Sequence, residues 1–397
     1  VTPPALDVVE AVRLMAALLM MRLLPFAAYV VFRPESKTAA RVAWLTGYAA
    51  VVGLACRLGL TTNVVIVLLA SLYYLAVAAG VCRLPVLVSA GRVTRGGLFA
   101  IVVFVFLFLP GVLLPQISAT VFLVVGWDLV LSSYSYCVET SRPGFPPPSL
   151  GEGLFFLLVN PTLVYTARGR RLATDGGAAG CIRAAIGVAA LFADFAVLGP
   201  VAKHLREREL VAPHTKATLL FELGYGVARF AEVYAAQSGL ASLRIGLMRQ
   251  IGWFVPECYR YPAAATSPID FWRRWNIYVR TWLEAYVFLP LARRIARRSR
   301  SRGRTGPIVA AAVTLVVSGA FHVAYAFAGT QSIVGASLNP FIAAGAFVTV
   351  WSLLTSPARS LRARLDAARA RSLDRASHIL GWGTMTAALV CAAVVWG

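Results

Sequence analysis

Residues 307–328 read PIVAAAVTLVVSGAFHVAYAFA, Pro307 to Ala328, without one Asp, Glu, Lys or Arg. A run of this length suffices for an α-helix, at 1.5 Å per residue, to cross ~30 Å of hydrocarbon. One ionisable side chain interrupts it. His322 lies fifteen residues past Pro307, ~22 Å along such a helix. Similar apolar runs recur along the whole chain of 397 residues, of which 59% are hydrophobic and 14% charged, with a mean hydropathy of +0.72. These values exclude a soluble globular domain and equally exclude disorder.

Working outward from 307–328, candidate spans lie near 8–32, 42–56, 60–82, 98–115, 117–137, 150–166, 181–200, 217–236, 240–255, 277–292, 333–354 and 379–396. Some are short for a full crossing and suit re-entrant segments buried in protein. The expected fold class is therefore all-α: a polytopic transmembrane helical bundle of about eleven spans around a central polar tunnel. No polar linker long enough to separate domains is present, so residues 1–397 read as one integral-membrane domain. Asp7 and Glu10 precede the first apolar run without a cleavage site, and that run is read as retained rather than as a signal peptide.

The net charge is +21, from 38 basic and 17 acidic residues, and only Lys37, Lys203 and Lys216 are lysines. The arginines sit in short loops between apolar spans. That distribution speaks against nucleic acid as a partner and for the positive-inside rule. The two densest clusters, in 293–306 and 356–377, are expected to be cytoplasmic, since two spans between them return the chain to the same side. Residues 356–377 read as an Arg-rich helix on anionic membrane lipid, with Leu361, Leu365 and Ala368 on one face. None of the six cysteines forms a CxxC pair, so they read as small buried hydrophobes rather than metal ligands. No metal and no cofactor is expected. Asp128, Glu139 and Asp194 are acids in or near apolar runs. Each either lines a polar cavity or pairs with an arginine.

Two stretches depart from ordinary membrane helices. The first, SPIDFWRRWNIYVRTWLEAYVFLPL from Ser267, begins like a capped helix: Ser267 as cap, Pro268 at the first position, Asp270 three after the cap. Phe271, Trp275, Tyr278, Trp282 and Tyr286 recur at helical spacing, and Arg280 and Glu284 stand four apart. An interfacial helix with snorkelling arginines accounts for the aromatic and basic residues. It does not account for Asn276.

The second is 307–328 itself. Ser318 and Tyr325 lie four before and three after His322, where either could hold an imidazole nitrogen and select the tautomer. A histidine at that depth is functional by default; the alternative is a structural His bridging two helices. No GxSxG, Walker A or HExxH motif is present.

At these residues the chain resembles the membrane-bound O-acyltransferase family, and most of all its branch of alginate-type polysaccharide O-acetyltransferases and the teichoic-acid D-alanyl transfer protein. That branch carries a phrase like F-W-R-R-W-H followed by W-L, Y and P-L. Here it is Phe271-Trp272-Arg273-Arg274-Trp275-Asn276, then Trp282, Leu283, Tyr286, Pro290 and Leu291. A second phrase, S-G-x-x-H, matches Ser318, Gly319 and His322. QSGLASLRIGLMRQIGWFVPE, SSYSYCVE and FFLLVNPTLVY resemble further family stretches, so the best-matching core is 126–354. Asn276 stands where the branch usually has His; sterol, wax and protein acyltransferases of the wider family place Asn there.

The resemblance implies transfer of an acyl group, acetyl or another short acyl, from an acyl thioester such as acyl-CoA to a hydroxyl acceptor on a glycan, lipid or secondary metabolite. The setting it implies is the bacterial cytoplasmic membrane, with an accessory transfer protein as a possible partner. His322 would be the general base. Asn276 would orient the acyl group or donate to the oxyanion, and Trp275, Arg273, Arg274, Ser318 and Tyr325 would contact substrate, the arginines attracting phosphates. Two alternatives stay open: a wax-ester or glycerolipid synthase using long-chain acyl-CoA, and an inactive relative or transporter.

Overall fold

A computed structural model describes residues 23–24, 26–28, 30–31, 38–57, 61–110, 119–146, 148–166, 177–211, 216–298 and 305–330, with side chains in the last segment up to Phe321. All regular elements among these are helical. Two helices are long and apolar enough to cross a membrane, Leu68–Ser89 and Gly177–Leu205. The expected spans 333–354 and 379–396, the Arg-rich 356–377 and most of 8–32 lie outside the described residues.

The chain divides into two units, the first comprising Val1–Gly177, Leu247–Val255 and Tyr325–Ser332, the second Ala178–Gly246, Pro256–Ala324 and Ile333–Gly397. In the first, α1 (Thr38–Arg57) and α2 (Thr61–Val81) are followed by the short α3 (Leu84–Ser89), α4 (Arg95–Val103), α5 (Ala119–Thr140) and α6 (Leu150–Leu154). The helical course of α4 and of α6 continues through one π-helical turn each, Phe104–Phe108 and Phe155–Val159. Helix α5 is the hub. Leu129, Val130, Leu131, Tyr136, Cys137 and Val138 are all buried, so this helix meets neighbours on every side. Two of its buried hydroxyls bond back to the helix backbone: Ser132 donates to the Asp128 carbonyl at 2.7 Å and Thr140 to that of Tyr136 at 2.6 Å. A Cβ on Gly126 would lie 2.7 Å from the Phe106 carbonyl, so glycine sets the approach of α5 to the Phe104–Phe108 turn.

On α2 the burial is one-sided. Val64, Ala70, Tyr74, Ala78 and Val81 face protein, while Val65, Leu69, Leu72 and Leu75 face outward, Leu72 at 62% exposure. Leaving such side chains in water forfeits about 1.5–3 kcal/mol apiece. A helix with apolar residues on both its buried and its outer faces belongs in hydrocarbon.

The second unit is organised by a long antiparallel helix pair. Helix α7 (Gly177–Ala193) runs through a π turn (Asp194–Leu198) into α8 (Gly199–Val211), and α9 (Lys216–Gln250) returns alongside. The register holds over the pair: Gly180 and Ala184 meet Gly246, Gly187 meets Gly239 and Leu243, Leu191 meets Gly239, and Ala202 packs with Tyr225 and Ala228. A Cβ on Gly187 or Gly246 would stand 2.5 Å from a backbone nitrogen of the other helix. Apolar surface gains nothing by leaving lipid, so close backbone approach is what holds such a pair. The outer face of α7 is apolar, with Phe192 70% exposed. Midway, Arg229 pairs with Glu232 at 2.7 Å and both interact electrostatically with Asp194. Glu139, in the first unit, pairs with Arg142 at 2.8 Å.

Candidate active site

The stretch 267–292 is not one helix. It forms α10 (Pro268–Arg274), α11 (Ile277–Leu283), a π turn (Glu284–Phe288) and α12 (Leu289–Arg298). The capped start forms as expected, Ser267 Oγ accepting from the Asp270 amide at 3.0 Å. The aromatic residues expected on one continuous stripe are divided by a break at Trp275–Asn276. Trp275 is extended (φ −88°, ψ 130°) and Asn276 is left-handed (φ 37°, ψ 64°). Among side-chain-bearing residues Asn tolerates that region best, and it is also among the best helix N-caps. Both preferences are met here, since Asn276 Oδ1 accepts from the Val279 amide at 3.4 Å at the start of α11.

The preceding segment stabilises the break. The Cys258 carbonyl accepts from the Ile277 amide at 2.8 Å, the Arg274 carbonyl from the Arg260 amide at 3.0 Å, and the Pro256 carbonyl from the Tyr278 hydroxyl at 2.6 Å. The buried Cys258 thiol donates to Asn276 Oδ1 at 3.6 Å. The Asn276 side-chain oxygen is thus engaged twice. Its Nδ2 donates to no described residue.

The neighbours sort the other candidates. Trp275 lies among four rings: Phe271 stacked at 5.5 Å, Tyr259 edge-on at 5.4 Å, Phe230 at 5.7 Å and Tyr234 at 6.1 Å. Such pairs contribute ~0.5–1.5 kcal/mol each beyond area burial, which makes Trp275 an anchor of the break. Arg274 is held by Asp270 at 2.8 Å and by the Arg260 carbonyl at 3.4 Å. Arg273 is exposed and makes no ion pair among the described residues. Arg280 and Glu284 pair at 2.8 Å, as their spacing requires.

The second phrase lies on α13 (Thr305–Thr330), where Ser318 is buried. Trp282 and Phe321 meet edge to face at 5.9 Å, so α13 crosses α11 one residue before His322. That crossing is six residues, ~9 Å, along α11 from Asn276. His322 and Tyr325 occupy helical positions on α13, and their side chains lie outside the described residues.

Sequence reasoning missed Cys258, Phe230, Tyr234 and Tyr259. The available signal was Asn276 itself, a left-handed and capping residue type just ahead of an apolar helical run.

No protein-family model matches the chain. Over 190 residues it is 29% identical to a protein of Azotobacter vinelandii named as a probable alginate O-acetylase, AlgI; the match covers 45% of this chain and 37% of that protein. Proteins of the same name from Pseudomonas putida and Pseudomonas aeruginosa are each 35% identical over 65 residues, 16% of this chain and 13% and 12% of theirs. The matched stretch therefore spans little more than a third of the first of these relatives.

Proposed function

We propose that the chain is a membrane-bound O-acyltransferase of the same family as these alginate O-acetylases. It transfers an acetyl or other short acyl group from an acyl thioester, acyl-CoA, to a hydroxyl of a glycan, lipid or secondary metabolite. The observation that carries this reading is the likeness to proteins named as O-acetylases. The crossing of α11 and α13 supports it, because it sets the helix carrying His322 against the helix that Asn276 caps.

An unassisted alcohol is a poor nucleophile, and a neutral imidazole suits the removal of its proton near pH 7. In the proposed step the acceptor hydroxyl gives its proton to His322 as its oxygen attacks the thioester carbonyl. The C–S bond then breaks and the thiolate leaves, taking up a proton to become the thiol. Asn276 Nδ2 donates to the oxygen on which charge develops. Arg273 meets the donor's phosphates. Trp275 and Arg274 serve by building the break, and Ser318 and Tyr325 by orienting the imidazole. No cofactor takes part. In this reading the protein sits in the bacterial cytoplasmic membrane with 293–306 and 356–377 on the cytoplasmic side, and an accessory protein completes transfer where the acceptor lies across the membrane.

The test compares glycan, lipid and metabolite masses from cells making the wild-type chain or His322→Ala, and assays membranes with acetyl-CoA and palmitoyl-CoA. Acetyl-dependent mass gain lost in the variant supports the proposal. Preference for palmitoyl would move it to a wax-ester or glycerolipid synthase. Equal turnover by the two chains would refute His322 as base, and absence of any transfer would favour an inactive relative or a transporter.

A further inference from the structure

A second polar feature lies in the other unit, and nothing in the acyl-transfer reading uses it. The Leu68–Ser89 span ends at Ser89, the chain turns at Gly91 (φ +69°), and Thr94 caps α4 by accepting from the Gly97 amide at 3.1 Å. The end of α5 comes alongside. Between them is a cavity of about 400 Å³, lined by Ser89, Thr94, Arg95, Ser141 and Arg142 with valines behind. Among the described residues no carboxylate lines it, and Arg95 has no carboxylate partner. Arg142 gives one nitrogen to Glu139, which leaves other N–H groups of its fork. Arg92 stands exposed on the same turn.

The position gives this chemistry a meaning. Ser89 closes a membrane-spanning helix, so the cavity lies where hydrocarbon gives way to headgroups. A volume of 400 Å³ would hold about a dozen waters at ~30 Å³ each, more than a bare ion needs. Guanidinium forks match phosphate oxygens, and basic pockets between membrane helices take lipid headgroups. We propose that this cavity binds the phosphate group of an anionic phospholipid headgroup. The chemistry is shared with soluble phosphate esters; the location at the end of the span favours lipid.

The experiment uses the purified full chain in neutral detergent. Binding of short-chain phosphatidylglycerol, short-chain phosphatidylcholine, inorganic phosphate and coenzyme A is read from native masses and from the shift of the thermal midpoint. Wild type and Arg297→Gln, which lies outside the cavity, should bind phosphatidylglycerol alike. Each substitution removes a guanidinium partner of the phosphate, so Arg95→Gln with Arg142→Gln should bind it at least about tenfold more weakly. Ser141→Phe, which narrows the cavity and keeps both arginines, should also weaken binding, and unliganded midpoints report whether each variant folds. Arginine-dependent binding of inorganic phosphate or coenzyme A, matching that of phosphatidylglycerol, would overturn the lipid assignment. Equal phosphatidylglycerol binding by wild type and the double variant would overturn the site itself.

Discussion

The Cys258 thiol donates to the side-chain oxygen of Asn276 across 3.6 Å, although eighteen residues separate the two in the chain. With the Val279 amide on the same oxygen, the Asn276 side-chain carbonyl serves local structure, and its NH2 group donates to no described residue. The two ends of one side chain have different roles, and substitutions can separate them.

Asn276→Asp keeps the cap oxygen and removes the NH2 donor. It should leave the unfolding temperature nearly unchanged and slow acyl transfer ~10²–10³-fold, the usual loss for an oxyanion donor. Asn276→Ala should be slow and also unstable by roughly 2–3 kcal/mol, because it loses the cap and strains a left-handed residue. Steady-state rates and thermal unfolding of the two variants, measured side by side, check this. An Asp variant with the wild-type rate would leave Asn276 purely structural.

His322 as base predicts a rate that falls on acidification. The imidazole must be neutral to accept the proton, so activity should fall on acidification, by about tenfold per pH unit once the imidazolium predominates. The profile of kcat/KM against pH for the wild type gives the limb. A flat profile down to pH 5 would count against the imidazole.

The two adjacent arginines should behave differently. Arg273→Gln should raise KM for acyl-CoA and leave KM unchanged for an acyl-pantetheine that lacks the phosphates. Arg274→Gln loses Asp270 and should lower the unfolding temperature, with similar effects on both donors. Matching KM changes in the two variants would contradict this division.

Gly246→Val should prevent the α7–α9 pair from closing. Even the first carbon of the new side chain would lie 2.5 Å from the Ala184 nitrogen, and overpacking of this kind costs about 1–3 kcal/mol or more. Gly47→Val, where a Cβ has no neighbour within 4 Å, is the control. Yield and midpoint in detergent should fall for the first and hold for the second.

Much of the site's local structure is legible from residue types. Ser267, Pro268 and Asp270 announce the start of α10, and Arg280 and Glu284 pair as four-apart residues on a helix do. The break at Asn276 is not legible by periodicity, because 3.6-residue spacing runs unbroken through 271–286 and a single left-handed residue leaves no periodic trace. Seeing it required knowing that 256–260 lies alongside to accept the Tyr278 hydroxyl and the Ile277 amide. The acids divide likewise: Glu139 has its arginine three residues on, whereas Asp194 meets Arg229 and Glu232 only through the return of α9.

The sequence by itself determined that this chain is helical and apolar enough for a membrane, that a capped helix starts after Ser267, and which residue types are out of place in lipid, because these follow from composition and from contacts within a few residues. Only the tertiary structure decided that the 267–292 helix breaks, that Trp275 and Arg274 are held by packing and pairing while Arg273 and the Asn276 NH2 have no partner among the described residues, and that α13 crosses α11. Those outcomes depend on partners far away in the chain, and a residue's commitment to one partner is what removes it from another role.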